Sequence, residues 1–159
     1  MEGVTALGID FRLREISMAL RGPDTLRVVT KYVSPGVGLD AALRALGVST
    51  TTLVEYLAKD VDVACAIVEQ PMGVKSIPKE LYMAEGVIFE RLNLFGVAAF
   101  DVNPATWRKE ILGHGNLRTE EAKGAALEYA KALGYEGDKH DEAEAICLAE
   151  YGCRTVKIG

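Results

Sequence analysis

Two short apolar runs in this chain each end in a carboxylate. Ala6-Leu7-Gly8-Ile9 leads directly into Asp10, and Ala66-Ile67-Val68 leads directly into Glu69. Runs of this length fit strands, and the nearly continuous stretch Val61 to Val68 reads as a central strand buried on both faces. Acids are seldom buried unless paired, so an acid closing such a strand is an anomaly. A single strand-end Asp can be a turn or cap residue. Two of them, where an α/β sheet opens into a crevice, point to a site.

The rest of the pattern supplies the frame. Val4 to Asp10, Glu15 to Leu20 and Leu26 to Val33 read as three strands of an antiparallel meander, with Gly22-Pro23-Asp24 as a turn between the last two. Leu39 to Lys59 has helical apolar spacing, with Gly47 and Ser49 to Thr52 as places where it can break. After the strand Val61 to Val68 comes a helix, Pro78 to Asn93, with Pro78 suited to its first turn. Gly96 to Val102 is a further strand. Helices follow at Pro104 to Leu112, at Thr119 to Leu133 (capped by Thr119) and at Asp138 to Tyr151. The prediction is one α/β domain over residues 1–159. Its mixed five-stranded sheet combines an antiparallel meander with parallel strands and is flanked by helices.

Charge bears on what such a domain binds. With 18 Lys+Arg against 23 Asp+Glu the formal net charge is -5, which argues against a protein that coats nucleic acid through bulk charge. No apolar run is long enough to span a membrane. Glu2 and Asp10 stand where a signal peptide needs a basic start and an apolar stretch, so an intracellular protein is expected. The three cysteines, Cys65, Cys147 and Cys153, match no zinc spacing and read as buried, reduced thiols.

Two further acids join Asp10 and Glu69. Asp141 and Glu144 are three apart on the last predicted helix and share a face; His140 is four from Glu144 and also a neighbour. Asp138 and Asp141 offer an alternative register, and either Asp can simply favour a helix N-terminus. Converging carboxylates repel, and one pKa rises sharply unless a cation intervenes. Hard divalent ions prefer oxygen ligands. Two of them about 4 Å apart are a standard device for in-line phosphodiester cleavage.

The order of these pieces resembles the Holliday-junction resolvases of the RuvC family, within the ribonuclease-H-like superfamily. The matching residues are Leu7-Gly8-Ile9-Asp10, Val68-Glu69-Gln70-Pro71, Asn103-Pro104-Ala105-Thr106-Trp107-Arg108-Lys109, Gly113-His114-Gly115 and Asp141-Glu142-Ala143-Glu144-Ala145. The compact length and the Asp-x-x-Glu ending look more like the phage-type branch. The resemblance implies an RNase-H-like fold and four catalytic, metal-binding carboxylates, Asp10, Glu69, Asp141 and Glu144. They would hold Mg²⁺ or Mn²⁺, two ions per active site. The family usually has Asp at the last position, so Glu144 is a departure that keeps an oxygen ligand on a longer arm.

The resemblance also implies DNA contacts. One basic position facing the scissile phosphate falls on Arg108 or Lys109, and a second near Arg118 or at Lys123. Where the family tends to place an aromatic wedge, this chain has Met72, followed by Lys75. Met72 either inserts between bases or packs within its loop. Trp107 reads as core rather than a base-stacking platform, His114 as an exposed loop residue, and His140 as a candidate for proton transfer. The implied protein is a cytoplasmic homodimer of bacterial or phage origin that resolves four-way DNA junctions by paired cuts, in recombination and repair. Its interface would use Leu81, Tyr82, Glu85, Ile88, Phe89 and Leu92, although helical spacing fits an internal core equally well. The alternatives are a nuclease acting more broadly on flaps, branched DNA or RNA–DNA hybrids, and a junction-binding module without catalysis. An actin-like ATPase is disfavoured, because the chain is short for two lobes and has no second phosphate motif.

Overall fold

The computed structural model describes residues 3–33, 38–72 and 76–156. Five strands form one sheet: β1 (Ala6–Arg12), β2 (Glu15–Gly22), β3 (Thr25–Tyr32), β4 (Cys65–Glu69) and β5 (Ala99–Val102), in the order β3-β2-β1-β4-β5. β1, β2 and β3 pair antiparallel, whereas β4 pairs parallel to β1 and β5 parallel to β4. The expected mixed sheet, a meander plus parallel strands, is therefore present. The helices are α1 (Leu39–Leu57), α2 (Lys79–Leu94), α3 (Pro104–Leu112), α4 (Thr119–Ala132) and α5 (His140–Thr155).

Strand alternation sorts the side chains into two cores. Leu7, Ile9, Ile16, Met18, Leu20, Ala66 and Val68 point to one face, where Leu46, Leu53 and Leu57 of α1 and Ile88 and Leu92 of α2 cover them. Ala6, Ala19, Cys65 and Ile67 point to the other, under Ala145, Ile146 and Ala149 of α5 and Trp107 of α3. By the same alternation Asp10 and Arg12 on β1, and Glu69 on β4, belong to the α5 face.

Several boundaries differ from the sequence expectation for identifiable reasons. β1 does not stop at Asp10. Its pairing with β4 ends at Ile9↔Val68, but its pairing with β2 continues through Asp10↔Ser17 to Arg12↔Glu15. The sheet thus divides beside Asp10, and β1–β2 runs on as a two-stranded ribbon. α1 is unbroken at Gly47, because that position lies against the guanidinium of Arg91 from α2, which a side chain would crowd. Thr50 and Thr52 stay helical by returning their hydroxyls to the carbonyls of Leu46 and Val48 at 2.8 and 2.9 Å. β5 starts only at Ala99, since Gly96 (φ 72°) first turns the chain out of α2. Pro78 is the N-cap of α2 and not part of its first turn, and Arg118, not Thr119, is the N-cap of α4. Among the described residues no helix is long and apolar enough to cross a membrane.

Candidate metal centre and active-site cleft

The division between β1 and β4 opens a cleft of about 260 Å³ lined by Asp10, Arg12, Glu69, Met72, Arg108, Lys123, Asp141 and Glu144, among others. β1 contributes Asp10 and β4 contributes Glu69 from adjacent strands, one register step past the last β1–β4 pair. α5 brings Glu144 over them. That helix lies flat on β1 because Gly8 has no side chain: a Cβ there would stand 2.1 Å from the carbonyl oxygen of Ala145. Ala145, Ala149 and Gly152 keep the helix face equally flat, and all three are buried.

Carboxylate oxygens of Asp10, Glu69 and Glu144 all lie within 4.8 Å of one another. Glu144 is only 7% exposed. Burial, followed by the charges of Glu144, Glu69 and Asp141, holds the Asp10 carboxyl well above the usual carboxylate range. Burial and the Glu144 charge push Glu69 up to about 7, against the pull of Trp107 and Arg108. Burial also raises Glu144, opposed by its hydrogen bond with Asp10 and by Arg108 and Lys123. Three buried acids whose charged forms are all disfavoured form an all-oxygen donor set that a hard divalent cation would relieve. The residues therefore fit a hard divalent cation.

Asp141 lines the same cleft but stands outside this triad. Its Oδ1 accepts from Arg12 Nη2 at 3.5 Å, and its carboxylate shares a hydrogen bond with Glu15. Burial first, then that contact, raises the Glu15 pKa. Asp138 lies before α5, is exposed and is not among the residues lining the cleft.

The basic candidates separate clearly. Arg108 is at the carboxylates, with Nη2 4.0 Å from Glu144 Oε1 and its guanidinium carbon 5.6 Å from the Trp107 ring centroid. Its buried Nε has no hydrogen-bond partner among the described residues. Lys109, one residue on, turns to the far side of α3. There it lines a separate open hollow of about 880 Å³ with His114, Asn116 and Tyr151. Lys123 lines the cleft, whereas Arg118 is exposed beside Glu121. His114 is exposed, as expected. Met72 is 56% exposed at the cleft mouth, and Lys75 falls outside the described residues.

His140 corrects an expectation. It is four residues from Glu144, but it opens α5, is exposed, and directs Nδ1 to the carbonyl of Lys123 at 3.3 Å. It is not among the cleft residues, so proton transfer at the carboxylates has no support from its position.

Other residues escaped the sequence reading. Trp107 is fully buried, as expected, yet its Nε1 also donates to Glu69 Oε2 at 2.6 Å. Glu142 accepts from Thr30 at 2.7 Å and from the Tyr135 hydroxyl at 2.8 Å, and Thr30 shares a 2.7 Å hydrogen bond with buried Ser17, the β2 partner of Asp10. This chain pins the start of α5 to the sheet beside the cleft. Only the period-2 pattern placing Arg12 on the face of Asp10 was available beforehand; nothing in the sequence marks Glu142 or the Trp107 contact.

No family model and no curated protein matches the sequence. Among solved structures, RuvC from Thermus thermophilus superposes with a TM-score of 0.71 at 14% identity, over 92% of this chain and 91% of that one. The same protein in complex with a Holliday junction substrate superposes with a TM-score of 0.71 at 15% identity, over 92% and 90%. The chain has the RuvC-like variant of the ribonuclease-H fold.

Proposed function

We propose that this RuvC-like chain, acting as a single nuclease domain, is a metal-dependent endonuclease that resolves four-way DNA junctions by paired phosphodiester cleavage. The observation that carries the reading is the convergence of Asp10, Glu69 and Glu144 within 4.8 Å at the opening of the sheet, with Arg108 beside them. Asp10, Glu69 and Glu144 would hold Mg²⁺ or Mn²⁺, two per site, with Asp141 alongside. Bound there, such ions supply charge neutralisation and activate the attacking water. Arg108 and Lys123 hold the scissile phosphate and stabilise its developing charge. Trp107 fixes the rotamer of Glu69. Met72 enters the junction centre from the cleft mouth, and Lys75, three residues later in sequence, contacts the backbone. The products are 5′-phosphate and 3′-hydroxyl ends.

Paired cuts require two sites, hence a homodimer. Ile88 and Leu92 of α2 are spent on the internal core, which takes them out of the expected interface. Tyr82 at 53% and Met83 at 44% exposure remain available on that helix. The enzyme would work in the cytoplasm of a bacterium, phage-encoded or cellular, in recombination and repair.

The test is cleavage of matched four-way, flap, linear and RNA–DNA hybrid substrates with Mg²⁺ or Mn²⁺. Symmetric cuts in the four-way junction are expected. Preferential cutting of flaps or hybrids would favour the broader nuclease. Binding with no cutting by either ion would leave a junction-binding module.

A further inference from the structure

We propose that Arg12, Tyr32 and Lys139 form a phosphate-binding rim beside the cleft that grips the DNA backbone flanking the cut. The inference rests on the nuclease reading and adds a binding surface on the hairpin side, across the cleft from Arg108 and Met72.

The sheet register builds this rim. Arg12 pairs with Glu15, and Glu15 with Tyr32, so Arg12 and Tyr32 occupy one row across three strands. The Asp10–Ser17–Thr30 row is the next one on the same face. With strands about 4.8 Å apart and about 3.4 Å per residue, Tyr32 lies about 10 Å across from Arg12. It is on the order of 12 Å from Asp10. Lys139, the N-cap of α5, reaches back over this row.

The chemistry of the row suits an anion. Lys139 Nζ donates to the Tyr32 hydroxyl oxygen and lies 4.6 Å from the ring centroid. Because that oxygen is already an acceptor, its own proton is directed elsewhere, and two ammonium protons remain. Tyr32 is 61% exposed, so these donors face solvent. The Arg12 side chain is 66% exposed and commits one N–H, at 3.5 Å, to Asp141. A guanidinium, an ammonium and a phenol in one row match the donors that hold DNA phosphates. Glu15, between Arg12 and Tyr32 in the row, and Asp141 of α5 beside Arg12 limit its net charge, so the rim would act by directed hydrogen bonds more than by bulk attraction.

The experiment measures fluorescence anisotropy of a labelled four-way junction in Ca²⁺ over a salt series, with gels confirming intact strands. Thermal unfolding is followed in parallel. The double variant Tyr32→Ala, Lys139→Ala is expected to bind about tenfold more weakly, with a salt slope lower by about one. Tyr32→Phe, which keeps the ring, should lose several-fold, and Lys139→Arg should retain binding. Binding by the double variant within about twofold of the parent, with an unchanged slope, overturns the rim. So does equal loss in the Lys139→Arg variant. A parent that binds no branched DNA overturns the nuclease reading as well, which separates that failure from failure of the rim alone.

Discussion

The backbone of Gly8 lies directly against the carbonyl of Ala145, so that a Cβ on Gly8 would fall 2.1 Å from that oxygen and 2.3 Å from the Ala149 nitrogen. Both obstacles are helix backbone, which cannot rotate aside as a side chain can. This contact sets the height of α5 above β1, and with it the distance from Glu144 to Asp10. Gly8→Ala should therefore destabilise the protein by about 1–3 kcal/mol. It should also lower metal-dependent nicking beyond what the melting temperature explains, because the triad opens. Full activity in a Gly8→Val variant would refute this account of how the site is assembled.

The acids make a paired prediction. Asp10→Asn and Glu69→Gln should each abolish nicking while junction binding persists. In the metal-free protein Asp10→Asn should raise the melting temperature at pH 7.5, since it removes the cost of burying a carboxyl beside Glu144 and Glu69. A lower melting temperature with nicking retained would count against both the site and its electrostatics.

The raised carboxyls give a pH dependence with a definite sign. Glu69 titrates at about 7 in the folded chain against 4.5 ordinarily, and Asp10 and Glu144 are raised too. Between those values the folded state binds more protons than the unfolded state. Their contribution is fully present below pH 4.5 and is lost as pH rises through about 7. Metal-free protein should lose melting temperature from these groups from about pH 5 to 7.5. Added Mn²⁺ should restore most at the alkaline end, where the triad is ionised. Calorimetry with and without metal decides it; an ion effect as large at pH 5 as at pH 7.5 would contradict it.

Trp107 is the only tryptophan, so its indole reports on the cleft directly. Metal addition should change its fluorescence as Glu69 is drawn toward the ion. Trp107→Phe keeps most of the buried ring but removes the donor to Glu69. It should raise the Mn²⁺ concentration needed for nicking by about tenfold, as loss of a ligand's supporting hydrogen bond commonly does. An unchanged Mn²⁺ requirement would make the contact purely structural.

The paired-cut proposal requires two chains. Sedimentation should give a dimer at working concentration, and Tyr82→Glu on the exposed side of α2 should shift it toward monomer without loss of folding. A strictly monomeric parent would argue against symmetric resolution.

Asp10, Glu69, Asp141 and Glu144 were legible as candidates because their signals are local. An acid closing an apolar strand and acids at i, i+3 on a helix are patterns of period two and period 3.6. The element order and mixed sheet were readable for the same reason. His140 failed because helical adjacency to Glu144 does not say how a helix is rolled, and at its first turn the ring faces α4. Arg108 over Lys109 was likewise undecided, since neighbouring helix positions differ by about 100° in direction; Lys123 over Arg118 was undecided because only packing shows that the body of α4, and not its N-cap, lines the cleft.

The sequence by itself determined the strands, the helices and the acids they carry, because those follow from the spacing of apolar and charged residues along one chain. Only the tertiary structure decided which acids meet, which cations serve them, and that Trp107 and Glu142 brace the site. Those relations depend on contacts between residues far apart in sequence, such as Glu69 with Trp107 and Thr30 with Glu142. Their geometry is set by helix roll and by the close approach at Gly8, which no local spacing encodes.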